Sequence, residues 1–281
     1  MTVCVAVKVY DCIVFAADSA SSLVGVDHAG KSSVLNVWQH GNKVFNLHKG
    51  LPIVAMTCGM GHMGPASIST LAKDLRKELT SGAGKLDLEA YTIEEAVNKA
   101  HAFWSDRYAA ITPPPPTPHS FEFWIGGISS GERCGEIWQI VIADGLVHAP
   151  VLLAPSSQDD GVFWSGQPQA ISRLIMGYDH HLSNALTGLG MTVPQRESFL
   201  SNLQAQSVTP LVHGAMPVQD AVNLADFLVD LTKRYFAFLP GADVVGGDTD
   251  IAAVTKHEGF RWIRRKHYYE PSLNPRETGH V

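Results

Sequence analysis

No run of about 18 uninterrupted apolar residues occurs anywhere in the 281-residue chain, so a membrane-spanning helix is not expected. The N-terminus lacks a basic segment followed by a small-residue cleavage site, and Asp11 and Asp18 interrupt it early, which speaks against a secretory leader. Cysteine is scarce. Cys4, Cys12, Cys58 and Cys134 form no CxxC pair and sit among apolar neighbours, so reduced, mostly buried thiols and a cytoplasmic location are expected. A surplus of positive charge is also missing. With 21 basic and 27 acidic residues the net charge is -6, which gives no reason to expect nucleic acid or an anionic membrane as partner. The one basic cluster, RWIRRK at residues 261–266, reads as a solvated strand end.

What the chain does have is enough apolar material, 45% of residues, to build a core without disulfide or metal staples. Val3, Val5, Val7 and Val9 alternate with smaller or polar residues, the period of a half-buried strand, and a second strand follows over 13–17. If Val9 pairs near Ile13, facing residue numbers sum to roughly 20–22, which sets Thr2 opposite or diagonal to Asp18. The stretch SSLVGVDHAGKSSVLNVWQHGN (21–42) reads as a polar, glycine-bearing connection to a further strand pair, KVFNL and PIVAMTC.

Beyond Gly59 the period changes. Ile68, Leu71, Ala72, Leu75 and Leu79 make the stripe of an amphipathic helix that ends in SGAG. Thr92 and Glu95 fit a capping box ahead of a second helix with Ile93, Ala96, Val97, Ala100, Phe103 and Trp104 inward. TPPPPTP (112–118) reads as a stiff loop, followed by the strands FEFWIGGIS, EIWQIVIAD and LVHAPVLLA. Helices are expected over 169–178 and 220–238, then strands in TDIAAVTK and FRWIRR. Strand groups alternating with helix pairs suit an α+β fold of two antiparallel sheets flanked by helices. No composition shift marks a linker, so one domain is expected over 1–269, with a polar, poorly ordered tail over 270–281.

The segments TVCVAVKVYDCIVFAADS, NKVFNL, GLPIVAMTCGMGHMGPA, SGQPQA and VGGDTDIAAVTKHEGFRWI follow one another in the order seen in proteasome β-type subunits, which are N-terminal-nucleophile hydrolases. The resemblance runs from residue 2 to about 265, and GVDHAG is more similar to the bacterial ancestral-β-type homologues. It implies a four-layer αββα sandwich and a threonine-type peptidase or amide hydrolase. The nucleophile would be Thr2, exposed as the first residue once Met1 is removed; its freed α-amine, with a reference pKa of about 7.7–8.0, would then serve as the base.

By the same resemblance Asp18 orients the site and balances a lysine. Lys43, in NKVFNL, stands ahead of Lys31 for that place. Gly59 matches the glycine whose N–H stabilises the oxyanion, and Ser165 in WSGQP matches a serine near the amine. The family's Asp-x-x-Ser-Gly-Gly departs here to DVVGGDTD: Asp243 takes the aspartate's place only if Gly246 replaces the serine, whereas aligning the glycines loses both side chains. The resemblance further implies a peptide or unfolded-protein substrate, a homo-oligomeric ring or stacked assembly with an ATP-dependent unfoldase as candidate partner, and chemistry that needs no metal or organic cofactor. Two rivals stay open: a non-catalytic subunit of the same fold, and an amide hydrolase acting on a small molecule.

Other signals read more plainly. Asp179, His180 and His181 suit a polar helix end better than half a metal site. His62 would line a cleft without a catalytic role. CGMGHMG lacks the βαβ context and acidic partner of a dinucleotide loop.

Overall fold

The structure is a computed structural model and describes residues 2–26 and 32–266. In chain order its elements begin with the strands β1 (Val3–Val9), β2 (Cys12–Ala17), β3 (Ser21–Val26), β4 (Ser32–Trp38), β5 (Val44–Asn46), β6 (Ile53–Gly59), β7 (His62–Met63) and β8 (Ala66–Ser67). Helices α1 (Ile68–Ser81) and α2 (Ile93–Ala109) come next, then β9 (Ser120–Gly127), β10 (Glu136–Ala143), β11 (Leu146–Val147), β12 (Val151–Ala154) and β13 (Gly161–Gly166). The chain continues through α3 (Gln169–Met176), α4 (His180–Gly188), α5 (Val193–Ser207) and α6 (Val218–Ala237) to β14 (Asp250–Thr255) and β15 (Gly259–Arg264).

Two larger sheets carry the fold, and every pairing in them is antiparallel. One is five-stranded in the order β13-β1-β2-β14-β15; the other is six-stranded, β11-β10-β9-β6-β5 with β12 also paired to β10. Burial of β1 on both faces follows from its sequence. Val3, Val5, Val7 and Val9 form one apolar row, which packs with Ile171 of α3 and with Ala221, Ala225 and Leu228 of α6. Cys4 and Ala6 form the other row and join Phe15, Val54, Met56 and Trp124, so this cluster draws on both sheets. The second sheet turns its remaining face to α1 and α2, where Trp104 lies 4.8 Å from both Phe121 and Phe123. The stripes expected for α1 and α2 are the ones buried, except that Phe103 is only partly covered.

Several expectations need correction. Residues 21–38 are not merely a connection, because β3 and β4 pair as a hairpin of their own. Its apolar residues Leu23, Val24, Leu35 and Trp38 are exposed, so no burial pattern marked it as structure. The strand β13, whose last two residues open SGQPQA, stands where no strand was expected and forms the edge beside β1. Two helices, α4 and α5, stand where none was expected. The described part of α5 buries no side chain at all, which removes the periodic stripe that reveals a helix. The basic cluster over 261–266 is exposed at Arg261, Arg264 and Arg265 but not at Lys266, which is buried. Lys31 and the tail over 270–281 lie outside the described residues.

Candidate active site

The β1–β2 hairpin closes on a two-residue turn, Tyr10–Asp11, and pairs Cys4 with Ala17, so facing residue numbers sum to 21. Extending that register puts Val3 opposite Asp18 and Thr2 opposite Ser19. The carboxylate therefore meets the peptide that joins Thr2 to Val3: Asp18 Oδ1 accepts from Val3 N–H at 3.0 Å. On its other side the same peptide is held by Gln167, whose N–H donates to the Thr2 carbonyl at 2.7 Å. Gly166 makes this approach feasible. It has φ of +90°, and a Cβ there would lie 1.9 Å from the Thr2 carbonyl oxygen. Strand alternation places Thr2, itself buried, on the face shared with Cys4 and Ala6, between the two sheets.

Asp18 is a saturated acceptor. Oδ1 takes Val3 N–H and the Lys43 ammonium, at 2.7 Å, while Oδ2 takes Ala20 N–H at 3.0 Å and Gly246 N–H at 3.1 Å. Four donors fill the four lone-pair positions of an ionised carboxylate. The Lys43 and Asp18 side chains are only 8% and 0% exposed, so the pair is desolvated, a costly arrangement unless both charges are well paired. Lys43 owes its position to β5, the edge strand that leads away from it, and to Thr57 of β6, whose N–H donates to the Lys43 carbonyl at 2.9 Å.

A second buried ion pair adjoins the first and has no precursor in the sequence reading. Lys266 bonds Asp250, with side chains 4% and 3% exposed, and its ammonium also donates to Ser19 Oγ at 2.6 Å. Ser19 in turn donates to the Asp248 carbonyl at 2.5 Å, and its N–H donates to the Gly246 carbonyl. Burial pushes the Lys266 ammonium below the ordinary lysine range, and the hydrogen bond to Asp250 opposes that shift. The signal available in sequence was weak: Asp250 opens an apolar strand, Lys266 closes an arginine-rich run, and nothing local says they meet.

The remaining expected residues are placed as follows. Gly59 ends β6 with φ of +90°, and a Cβ would come within 2.1 Å of the Ser120 carbonyl oxygen, so only glycine fits. Ser165 pairs in register with Cys4, but its hydroxyl donates to Glu122 Oε1 at 2.8 Å. Glu122 was not foreseen; its other oxygen accepts from Trp124 Nε1 and Gln139 Nε2. Asp243 is exposed, although its carboxylate lies beside Gly246, where an added Cβ would be 3.6 Å from it. Cys4 donates to the Thr57 carbonyl at 3.2 Å, and burial, with Cys58 next to it, pushes its thiol well up. All four cysteines are free and buried.

The site thus brings the Thr2–Val3 peptide and Lys43 to Asp18, and it brings there the Gly246 N–H from the loop before β14. Ser165 is turned toward Glu122 instead. Asp179, His180 and His181 form, among the described residues, a group with metal-ligand spacing. The Asp179 carboxylate is already engaged by His181 N–H and by Arg173, as the N-cap of α4.

The fold has a counterpart among solved structures. A mutant of Anbu from Hyphomicrobium sp. strain MC1 matches with a TM-score of 0.55 over 95% of this chain and 86% of that one, at 15% sequence identity. Anbu is a bacterial proteasome-like N-terminal-nucleophile hydrolase. The fold is proteasome-like. No family model matches the chain, and no curated protein does. At this identity the likeness concerns the backbone, and the proteasome-like fold carries the mixed α/β arrangement of antiparallel sheets and helices described above. No helix among the described residues is long and apolar enough to cross a membrane.

Proposed function

We propose that this chain is a threonine-type N-terminal-nucleophile hydrolase with a four-layer αββα sandwich, acting on peptide or amide bonds within a homo-oligomeric assembly. One observation carries the reading: the buried Asp18 carboxylate holds the Lys43 ammonium and the Thr2–Val3 peptide on one oxygen. Once Met1 is gone, the Thr2 hydroxyl attacks the substrate carbonyl and its proton passes to the α-amine. The amine then protonates the leaving nitrogen as the C–N bond breaks. Water cleaves the resulting ester and restores the hydroxyl. Lys43, which shares Asp18 Oδ1 with the Thr2–Val3 peptide, lowers the cost of the developing alkoxide in this reading. The hydrogen bonds on either side of the Thr2–Val3 peptide fix the nucleophile's backbone, which limits reorganisation during attack. Gly59 is the oxyanion donor in this reading, and Asp243 tunes the site through Gly246. Peptides or unfolded chains are the substrates, and an ATP-dependent unfoldase is a candidate partner.

Intact mass and covalent labelling test the proposal together. Chains lacking Met1 should react with an epoxyketone or boronate probe, and Thr2→Ala should abolish labelling. Labelling that survives in Thr2→Ala would move the nucleophile elsewhere. A second reading, a non-catalytic subunit, draws support from the commitment of the Ser165 hydroxyl to Glu122. It expects Met1 on every chain and no labelling.

A further inference from the structure

Beside the Asp250–Lys266 pair, the edge strand β5 and helix α1 approach the β14–β15 hairpin and leave a cavity of about 60 Å³. That is room for on the order of four water-sized spheres, enough for a group of a few heavy atoms and too little for a nucleotide. Its charge is one-sided. Lys73 and Arg76 of α1 and Arg265 after β15 line it, and the one carboxylate in the wall, Asp250, is already matched by Lys266.

Among the described residues, none of the three cations has a carboxylate within ion-pair distance. Arg76 is half-buried; burial and, behind it, the Arg265 charge push its guanidinium down. Two guanidiniums that repel one another at a partly desolvated wall gain most from an anion set between them. Neutral hydrogen-bonding groups complete the lining. Asn42 donates to Ser69 Oγ at 3.3 Å, and Asn46 uses its carbonyl oxygen on His48 N–H, which leaves its amide N–H groups for another acceptor. Arg265 is backed by Trp262, 4.8 Å from its ring centre, which holds the guanidinium plane against the wall.

We propose that this cavity is an oxyanion site, binding one phosphate- or carboxylate-class group between Arg76 and Arg265, with Lys73 supplying a third positive charge. The proposal does not depend on the hydrolase reading, because none of its three cations belongs to the Thr2 site.

Thermal unfolding of the full chain tests it. Inorganic phosphate at ten times its Kd should raise Tm by about 2–3 °C beyond sodium chloride of equal ionic strength. Acetate and a short peptide with a free C-terminal carboxylate form the second arm, with the amidated peptide as control. A phosphate response alone assigns a phosphate ligand. A peptide response lost on amidation assigns a chain terminus. In Arg76→Gln and Arg265→Gln the shift should fall at least tenfold in apparent affinity, and in anion-free buffer Arg76→Gln should unfold no lower than the parent, since it removes a repulsion. Equal shifts in chloride, shifts that persist in the double variant, or a Tm loss for Arg76→Gln without anion would overturn the proposal.

Discussion

Replacing Asp18 by Asn keeps the shape of the side chain and removes half of its accepting capacity. The carboxylate takes four donors, two on each oxygen. An amide offers one oxygen with two lone pairs and turns an NH₂ group toward the other two donors. In one orientation Ala20 and Gly246 N–H lose their acceptor; in the other, Val3 N–H and the Lys43 ammonium do. Each buried donor left unmet costs about 1–3 kcal/mol, so the loss is about 2–6 kcal/mol, and an orphaned Lys43 charge falls in the upper part of that range. Against a typical total of about 5–15 kcal/mol this is a large fraction. Equilibrium urea unfolding followed by far-UV circular dichroism at pH 7 measures it as a lower midpoint at unchanged m. Lys43→Met should cost less, about 1–3 kcal/mol, because Asp18 retains three backbone donors. A loss below about 1 kcal/mol for Asp18→Asn, or the reverse order of the two variants, would refute the claim that all four contacts form.

The second ion pair should behave as a closed unit: Lys266→Met loses about 3–5 kcal/mol, while Lys266→Met/Asp250→Leu recovers most of it in the same unfolding assay. Gly166→Ala forces a Cβ into the Thr2 carbonyl and strains a positive φ, so at least about 1–3 kcal/mol and the probe reactivity of Thr2 should be lost together. Burial, and behind it the Asp11 charge, raises the Cys12 thiol to about 12 from its ordinary 9.0. Between those values the unfolded chain binds fewer protons, so this contribution is fully present below pH 9 and is lost as pH rises toward 12. Cys12→Ala should flatten the alkaline fall in stability by roughly 1 kcal/mol per pH unit, read from unfolding midpoints at pH 9–10.5.

Local chemistry determined much of this protein. Alternating valines and a short turn are enough to fold residues 2–18 into a hairpin, and the 3.6-residue period of Leu71, Leu75 and Leu79 is enough for α1, because each pattern depends only on neighbours in sequence. The hairpin register made the meeting of Thr2 and Asp18 legible, whereas their roles and the choice of Lys43 came from the resemblance to proteasome β-type subunits. Thr192 and Gln195, with Pro194 in the first turn, did carry a start signal for α5, yet the absence of an inward stripe hid the helix.

Tertiary structure decided what no local pattern encodes. The register sum of 21 moved Asp18 from the Thr2 side chain to the Thr2–Val3 peptide, because pairing is set by how both strands bury their faces. It turned Ser165 toward Glu122, a residue of the other sheet. It also buried Lys266, although Arg264 and Arg265 just before it are exposed, because its partners Asp250 and Ser19 lie 16 and 247 residues away along the chain. Charges pair through space, and the sequence holds those distances only through the fold.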